Sequence, residues 1–414
     1  MEARDPDQER WPPTAYPGLC ERITSAGSWL VNKVLVLGTA DWSQQIATNQ
    51  HYVVRELARE FDLIFVESMG LRTPELKIRD LRRITARLGR HTAKGIGTAR
   101  RAIPPRVEVR SPLVLPRHVG LARRINQPRV HKLVSDWLAQ PERILWTYSP
   151  VTYSLEERAT AVVYHCVDLL GEVEGIPQDL IHRSERQLAQ RQVRALSSSH
   201  VVSLHLREIG FTDVADWPNV ADTEVVATER PSEQRRFPNR AVFAGNLSRN
   251  KVDFVLLERL ISQGVDLHLA GPIAEGGGSA GREVEELVDQ GAHYHGMLSQ
   301  SELAALYWTA EIGLIPYLIN DYTRGVSPLK TFEYLAAGLG VVSTPLPGVS
   351  PRVGHVVTLD PLEDWPSVVQ RLEPTSDSKV VADRIDIAGQ HSWRERGDAA
   401  RRLVRQLSRR PGEA

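Results

Sequence analysis

The sequence predicts an α/β protein of two doubly wound, parallel-sheet domains facing a cleft. From Arg240 to about Thr344, short apolar runs alternate with helical patterns, as a parallel sheet covered by helices on both faces requires. The first half repeats that alternation less cleanly. At 414 residues the chain exceeds what one hydrophobic core usually spans, and 42% hydrophobic with 25% charged residues gives each half a sizeable core. The expected division is an N-terminal extension over 1–29, a first domain over 30–217, a second over 218–390 and a C-terminal helix and tail over 391–414.

The elements follow in chain order. MEARDPDQERWPPTAYPG is charged and Pro-rich, a composition expected to be disordered. Lys33 to Leu37 reads as a strand, Thr48 to Glu60 as a helix and Leu63 to Glu67 as the next strand. Gly38 closes the first strand in LGTADWSQQ, and no G-x-G-x-x-G follows, which argues against a nicotinamide or flavin. Arg143 to Tyr148 and Ala161 to Val167 give two more strands, the second running into Asp168 in VVYHCVDLL. DWPNVADTEV is the expected linker. AVFAGNLSRNKVDFVLLERL then reads as a buried strand, a glycine turn and an amphipathic helix, and VDLHLAGPI as a strand ending at Gly271 and Pro272. Glu275 to Gly281, EGGGSAG, lacks the spacing of a phosphate-binding loop and reads as flexible. AHYHGMLSQSELAALYWTAEIGLIPY supplies strand, loop, helix and strand. Beyond Pro347 come a strand near Val356 and Leu359, a helix from about Trp365, and a basic helix from Trp393 to Arg409.

Ile312 to Pro347, IGLIPYLINDYTRGVSPLKTFEYLAAGLGVVSTPLP, is the most informative stretch. Leu314, Ile315 and Pro316 close a buried strand, and Asp321 to Ser327 show no hydrophobic period. Pro328 suits the first turn of a helix, where its missing N–H costs nothing. The free N–H groups of that turn, with Lys330 beside them, offer an anion site. Glu333, about one turn further in, can accept hydrogen bonds from two ribose hydroxyls. Ligands of such sheets sit at the carboxyl ends of the strands, where all these residues fall. An ordinary strand-loop-helix unit with a solvated Lys and Glu is the bland alternative.

SPLKTFEYLAAGLGVVST resembles the donor-site motif of retaining glycosyltransferases of the GT-B fold, two Rossmann-like domains facing a cleft, in the large family numbered four. That family pairs two glutamates, one on the donor sugar and one on the ribose. The resemblance makes Glu333 the second. Gly325 stands at the position of the first, so Asp321, Tyr322, Thr323 or Ser327 would replace it. AVFAGNLSRNK resembles the family's glycine-turn segment, in which an Arg and a Lys grip the diphosphate. Lys251 matches the lysine. Asn246 stands where the arginine is usual, and Arg249 could supply the charge. The resemblance thus implies Lys251, Lys330, Arg249 and Asp168 as catalytic residues. On the donor side it implies Gly245, Asn246, Pro272, Asp321, Tyr322, Thr323, Ser327, Pro328, Leu329 and Glu333. It also implies that Gly38, Asp41, Trp42 and His165 face the acceptor, although a lone loop Trp is more often packing. Which of His165 and Asp168 reaches the sugar stays open. Pro218 and Asn219 resemble the Pro-Asn that begins the second domain, and the final helix is expected to cross back onto the first.

No apolar run approaches the ~20 residues that cross a bilayer, and the N-terminus lacks a secretory pattern. Two cysteines, Cys20 and Cys166, make no disulfide framework and suit no metal site, so a cytoplasmic protein is expected. Net charge is zero, but residues 76–101 are rich in arginine. That segment can lie on anionic lipid, hold an anionic acceptor or be a solvated face. Lacking interleaved aromatics, it does not suggest nucleic acid.

The resulting expectation is a glycosyltransferase moving a sugar with retention from a nucleotide-diphosphate-sugar, a UDP-sugar by preference, to a hydroxyl acceptor. That acceptor is a glycan, a glycolipid or a small metabolite. Two cations at the leaving diphosphate do the work of a metal, so neither metal nor cofactor is expected. The competing readings are a sugar-nucleotide epimerase of similar fold, which needs an acid and a base at the sugar carbon, and a non-catalytic nucleotide-sugar-binding protein.

Overall fold

The computed structural model describes residues 33–44, 47–72, 101–173, 175–191, 193–232, 235–273, 280–349, 355–359 and 364–408. The expected extension over 1–29, residues 76–100 of the arginine-rich segment and most of the 275–281 loop lie outside these described residues.

Two parallel sheets form the frame. The first contains β1 (Val34–Leu37), β2 (Leu63–Val66), β3 (Val107–Arg110), β4 (Ile144–Thr147), β5 (Ala161–Cys166), β6 (Arg194–Ser197) and β7 (Val214–Asp216). Their spatial order is 3-2-1-4-5-6-7. The second contains β8 (Arg240–Ala244), β9 (Asp266–Ala270), β10 (His293–Tyr294), β11 (Ile312–Ile315), β12 (Gly340–Ser343) and β13 (Val356–Thr358), in the order 10-9-8-11-12-13. Sequential direction reverses between β1 and β4 in one sheet and between β8 and β11 in the other, and the loops leaving these strands diverge to leave a crevice.

The central strands are buried on both faces, which is why they read as unbroken apolar runs. Val34 and Val36 belong to one core and Leu35 and Leu37 to another, as the two-residue repeat of a strand dictates. The strands expected around residues 33–37, 63–67, 143–148 and 161–167 are all present. β3, β6 and β7 were not legible, because VEVR, RALS and VAD are short and half polar.

Two local expectations need correction. The segment expected to be a plain loop contains a single helical turn, Asp321–Arg324, capped by the Asn320 carboxamide, which accepts from Thr323 N–H at 2.9 Å. One turn is too short to show a period. Pro328 precedes the next helix instead of entering it: the helix runs Lys330–Ala336. Thr331 N–H donates to the Pro328 carbonyl at 3.2 Å and Phe332 N–H to that of Leu329 at 3.1 Å, so the first turn tightens and offers fewer free N–H groups than a regular start.

The helix Trp393–Ser408 returns to the first domain and packs on the helix Asn49–Leu57. Glu56 is buried there, and Arg401 donates to its carbonyl at 2.7 Å and pairs with its carboxylate at 3.2 Å. Gly397 permits the approach. A Cβ on Gly397 would lie 2.6 Å from Glu56 Oε2 and 2.7 Å from its Cβ. Gly397→Val should therefore push the helices apart and cost about 1–3 kcal/mol, read as a lower urea midpoint. An unchanged midpoint would show that this contact does not hold the helix.

His165 enters the core from β5, fully buried beside Tyr148 at 4.8 Å and Trp146 at 5.9 Å between ring centroids. Burial, helped by Arg396, pushes its pKa down to about 3. The unfolded chain therefore binds a proton that the folded chain refuses between pH 6.5 and about 3, and stability falls as pH falls through that window. His165→Phe should flatten this limb of the stability-pH curve, measured by urea unfolding from pH 7 to 4. A variant as acid-labile as the parent would assign the limb elsewhere.

Candidate active site

Lys251 lies in the crevice of the second sheet. The loop after β8 is tied to the segment after β11: Asp253 N–H donates to the Pro316 carbonyl at 2.8 Å, and Leu318 N–H to that of Lys251 at 2.9 Å. This lays the Lys251 ammonium over the Tyr317 ring, 4.6 Å from its centroid. Burial pulls the Lys251 pKa down, but Tyr317, Tyr322 and Asp168 outweigh it and the net direction is upward. The ammonium is charged throughout neutral pH. Gly271, with φ +127°, presses on the turn from beneath, where a Cβ would collide with the Gly245 carbonyl oxygen.

Asp168, which follows β5 in the first domain, and Lys251 influence each other electrostatically. The Asp168 pKa is raised by burial and opposed by Lys251, while Tyr322, beside both, is pushed up to about 12 chiefly by Asp168. The next residue crowds Gly325. A Cβ on Gly325 would sit 3.1 Å from Leu169 Cγ and Cδ1, and the Gly325 carbonyl accepts from Ser199 Oγ at 3.0 Å. Leu169 fills the space a longer side chain would need.

Lys330 and Glu333 form a pair at 2.6 Å, one turn apart on the Lys330–Ala336 helix, with side chains only 19% and 17% exposed. Tyr307 donates to Glu333 Oε2 at 3.0 Å. Across the cleft, Tyr52 accepts from Gln300 Nε2 at 2.6 Å. Burial first, then Asp222 and Glu333, push the Tyr52 pKa to about 12. Tyr52, Tyr307, Tyr317 and Gln300 were not legible as site residues, because each reads as part of an ordinary helix or strand end.

Other expected residues take different places. Arg249 pairs with Glu283, its side chain 53% exposed. Asp321 is 84% exposed beside Arg324. Thr323 is fully buried and its hydroxyl bonds the Leu318 carbonyl, so it braces the loop. Ser327 offers its carbonyl to Asn219 Nδ2 at 2.8 Å. Pro328 is buried and Leu329 half-buried beside it. Asn246 follows Gly245 in the turn, and the Pro272 carbonyl accepts from Leu247 N–H at 2.9 Å.

On the first domain a cavity of about 220 Å³ opens at the carboxyl ends of β1, β4 and β5, lined by Thr39, Gln44, Thr48, Tyr148, His165 and Asp168 among others. Both His165 ring nitrogens lack a hydrogen-bond partner among the described residues. Gly38 lies beneath this cavity, where a Cβ would meet Gln50 Oε1 and Phe65 Cζ at 2.7 Å. Asp41 receives a bond from His51 Nε2 at its carbonyl, 3.1 Å away. Trp42 is only 4% exposed and packs on His51 and Phe65. Its place is the core, against the expectation that it faces the acceptor.

Residues 238–373 match the family described as Glycosyl transferases group 1. The chain is 26% identical over 266 residues to TuaH of Bacillus subtilis (strain 168), named as a candidate glycosyltransferase of teichuronic acid biosynthesis. That alignment covers 60% of this chain and 65% of the relative. Among solved structures, sucrose-phosphate synthase from Thermosynechococcus elongatus superposes with TM-score 0.63 at 15% identity, over 91% of this chain and 99% of that one. Anabaena Alr3699/HepE in complex with UDP-glucose gives 0.56 at 14%, over 90% and 99%. A UDP-forming trehalose-phosphate synthase from Burkholderia xenovorans gives 0.61 at 12%, over 92% and 100%. At these identities the structures establish the shared two-domain GT-B fold, while the domain match and the curated relative support a glycosyltransferase.

Proposed function

We propose that the chain transfers a sugar, with retention and without a metal at the diphosphate, from a UDP-sugar to a hydroxyl of a glycan. The observation that carries this reading is the half-buried Lys330–Glu333 pair at 2.6 Å on the helix that follows β11, with Lys251 held over the Tyr317 ring at 4.6 Å in the loop after β8. UDP is favoured by the similar solved structures of HepE in complex with UDP and with UDP-glucose, and a glycan acceptor by the teichuronic acid assignment of TuaH.

Each residue then has a role set by its charge and place. Lys251 and Lys330 meet the negative charge that grows on the leaving diphosphate, in a half-buried site where such contacts act most strongly. Glu333 accepts two ribose hydroxyls, and Tyr307 holds its carboxylate in line. Asp168 takes hydroxyls of the donor sugar in place of the side chain that Gly325 lacks. The first-domain cavity, with the unpartnered nitrogens of a neutral His165 on its wall, receives the acceptor.

Lys251→Met should lower kcat by about a hundredfold or more, beyond any loss of donor affinity, because the charge it meets is largest in the transition state. Arg249→Ala should change kcat little, since its guanidinium is held by Glu283. The reverse ranking in a UDP-release assay would transfer the diphosphate role to Arg249. EDTA should leave the rate unchanged, and activity lost in EDTA and restored by a divalent cation would contradict the metal-free arrangement.

Glu333→Ala should weaken UDP binding by about 1.5–3 kcal/mol for each charged hydrogen bond lost, measured by calorimetry. Unchanged UDP affinity would remove Glu333 from the ribose site.

A further inference from the structure

Asp266 and His268 alternate on β9, and His293 lies on β10 with His295 two residues beyond. Side chains two apart on a strand share a face, and the register pairs His293 directly with His268, so all four gather at the edge of the second sheet. Lys251 and Glu333, by contrast, follow the carboxyl ends of β8 and β11. The group lies outside everything the proposed transfer uses.

We propose that Asp266, His268 and His293 form a tetrahedral site for a zinc-class divalent ion, with His295 fixing the orientation of His268. The donor atoms of the three lie within 4.8 Å of one another. His268 Nε2 is 3.2 Å from Asp266 Oδ1, and His293 Nε2 is 3.6 Å from the same oxygen. A tetrahedron with metal-ligand bonds of about 2.0–2.1 Å has edges of about 3.3–3.4 Å. The two separations from Asp266 Oδ1 bracket that edge, and the third, between the two imidazoles, lies within 4.8 Å and closes as the exposed His293 turns in.

Second contacts fit the same purpose. A metal-bound imidazole ordinarily anchors its other ring nitrogen, and His268 Nδ1 lies 2.9 Å from His295 Nε2. With Nδ1–H donating to His295, the Nε2 lone pair faces the ion. Arg240 Nε donates to Asp266 Oδ2 at 2.8 Å, which orients the carboxylate and leaves Oδ1 to coordinate. His293 is 60% exposed, which gives the ion a path from solvent and leaves the fourth position to water. Two imidazoles and one carboxylate suit zinc and cobalt better than magnesium or calcium. The ion would fasten the two-residue edge strand β10 to β9.

The second grouping of potential ligands, His182, Glu185 and His205, serves as the internal control. There no ligand is exposed to solvent as His293 is, and the Glu185 oxygens lie against the Tyr164 hydroxyl at 2.9 Å and His205 Nε2 at 3.0 Å, so an ion has no open path in. The test is titration of the full chain with Co²⁺, read by visible absorption, and with Zn²⁺, read by calorimetry and by the thermal midpoint. One equivalent should bind, with the intense d–d bands of tetrahedral cobalt and an upward shift in midpoint. His293→Ala, at an exposed position, should weaken binding more than a hundredfold. His295→Ala should weaken it by about ten- to a hundredfold, as loss of an orienting partner does. His205→Ala should bind like the parent, and UDP affinity should not change with the ion. Absence of a stoichiometric equivalent would overturn the proposal, as would binding that survives His293→Ala or disappears in His205→Ala.

Discussion

Two buried amide hydrogen bonds set the spacing of the domains. Asn49, on the first helix, donates to Asn219 Oδ1 at 2.7 Å, and Asn219 donates in turn to the Ser327 carbonyl at 2.8 Å. Tyr148 hydroxyl approaches Asn49 from the first sheet at 3.3 Å. Asn219 sits on the connection between the domains and bonds forward and backward at once, so parting the domains leaves a buried amide unsatisfied on one side. The contacts that make the crevice depend on this spacing. Leu169 lies against Gly325, Ser199 caps the Gly325 carbonyl, Gln300 meets Tyr52, and Asp168 arrives beside Lys251. The return of the Trp393–Ser408 helix closes the same unit from behind, where Trp393 stacks on Tyr52 with centroids 4.7 Å apart.

The frame was legible where burial leaves a simple pattern. VLVL, LIFV, ILWT and IGLI lie in strands covered on both faces, so their sequences carry no polar alternation that could mislead. Lys330 and Glu333 were legible as a neighbouring pair because helical spacing is local. What failed was what depends on residues far apart in the chain. Nothing near Gly325 announces that Leu169 fills its side-chain space, and nothing near Asp168 announces Lys251. Trp42 and Arg249 show the opposite error. An aromatic and a cation in loops beside the right strands suggested function, yet one packs on Phe65 and the other pairs with Glu283. Residue type specified the chemistry available, and only the packing decided where it points. The Asp266-x-His268 and His293-x-His295 patterns were passed over for a related reason, since each alone is an unremarkable pair on a short strand.

Around Lys251 the electrostatics of the crevice follow from one ammonium and the groups near it. Lys251 lies over the Tyr317 ring and feels the charge of Asp168, and the net direction of its pKa is upward despite burial. Asp168 feels the other side of the balance: burial raises its proton affinity and Lys251 holds that rise in check. On the proposed reading, a diphosphate arriving at Lys251 screens it from Asp168, and the burial contribution then acts with less opposition. The carboxyl group becomes easier to protonate as the donor binds, and can then donate as well as accept hydrogen bonds with sugar hydroxyls. A carboxylate fixed at position 325 would sit on the same domain as the diphosphate site. On the proposed reading, a carboxylate on the opposite domain meets the donor only while the two domains stand together, at the spacing the Asn219 amide bonds hold.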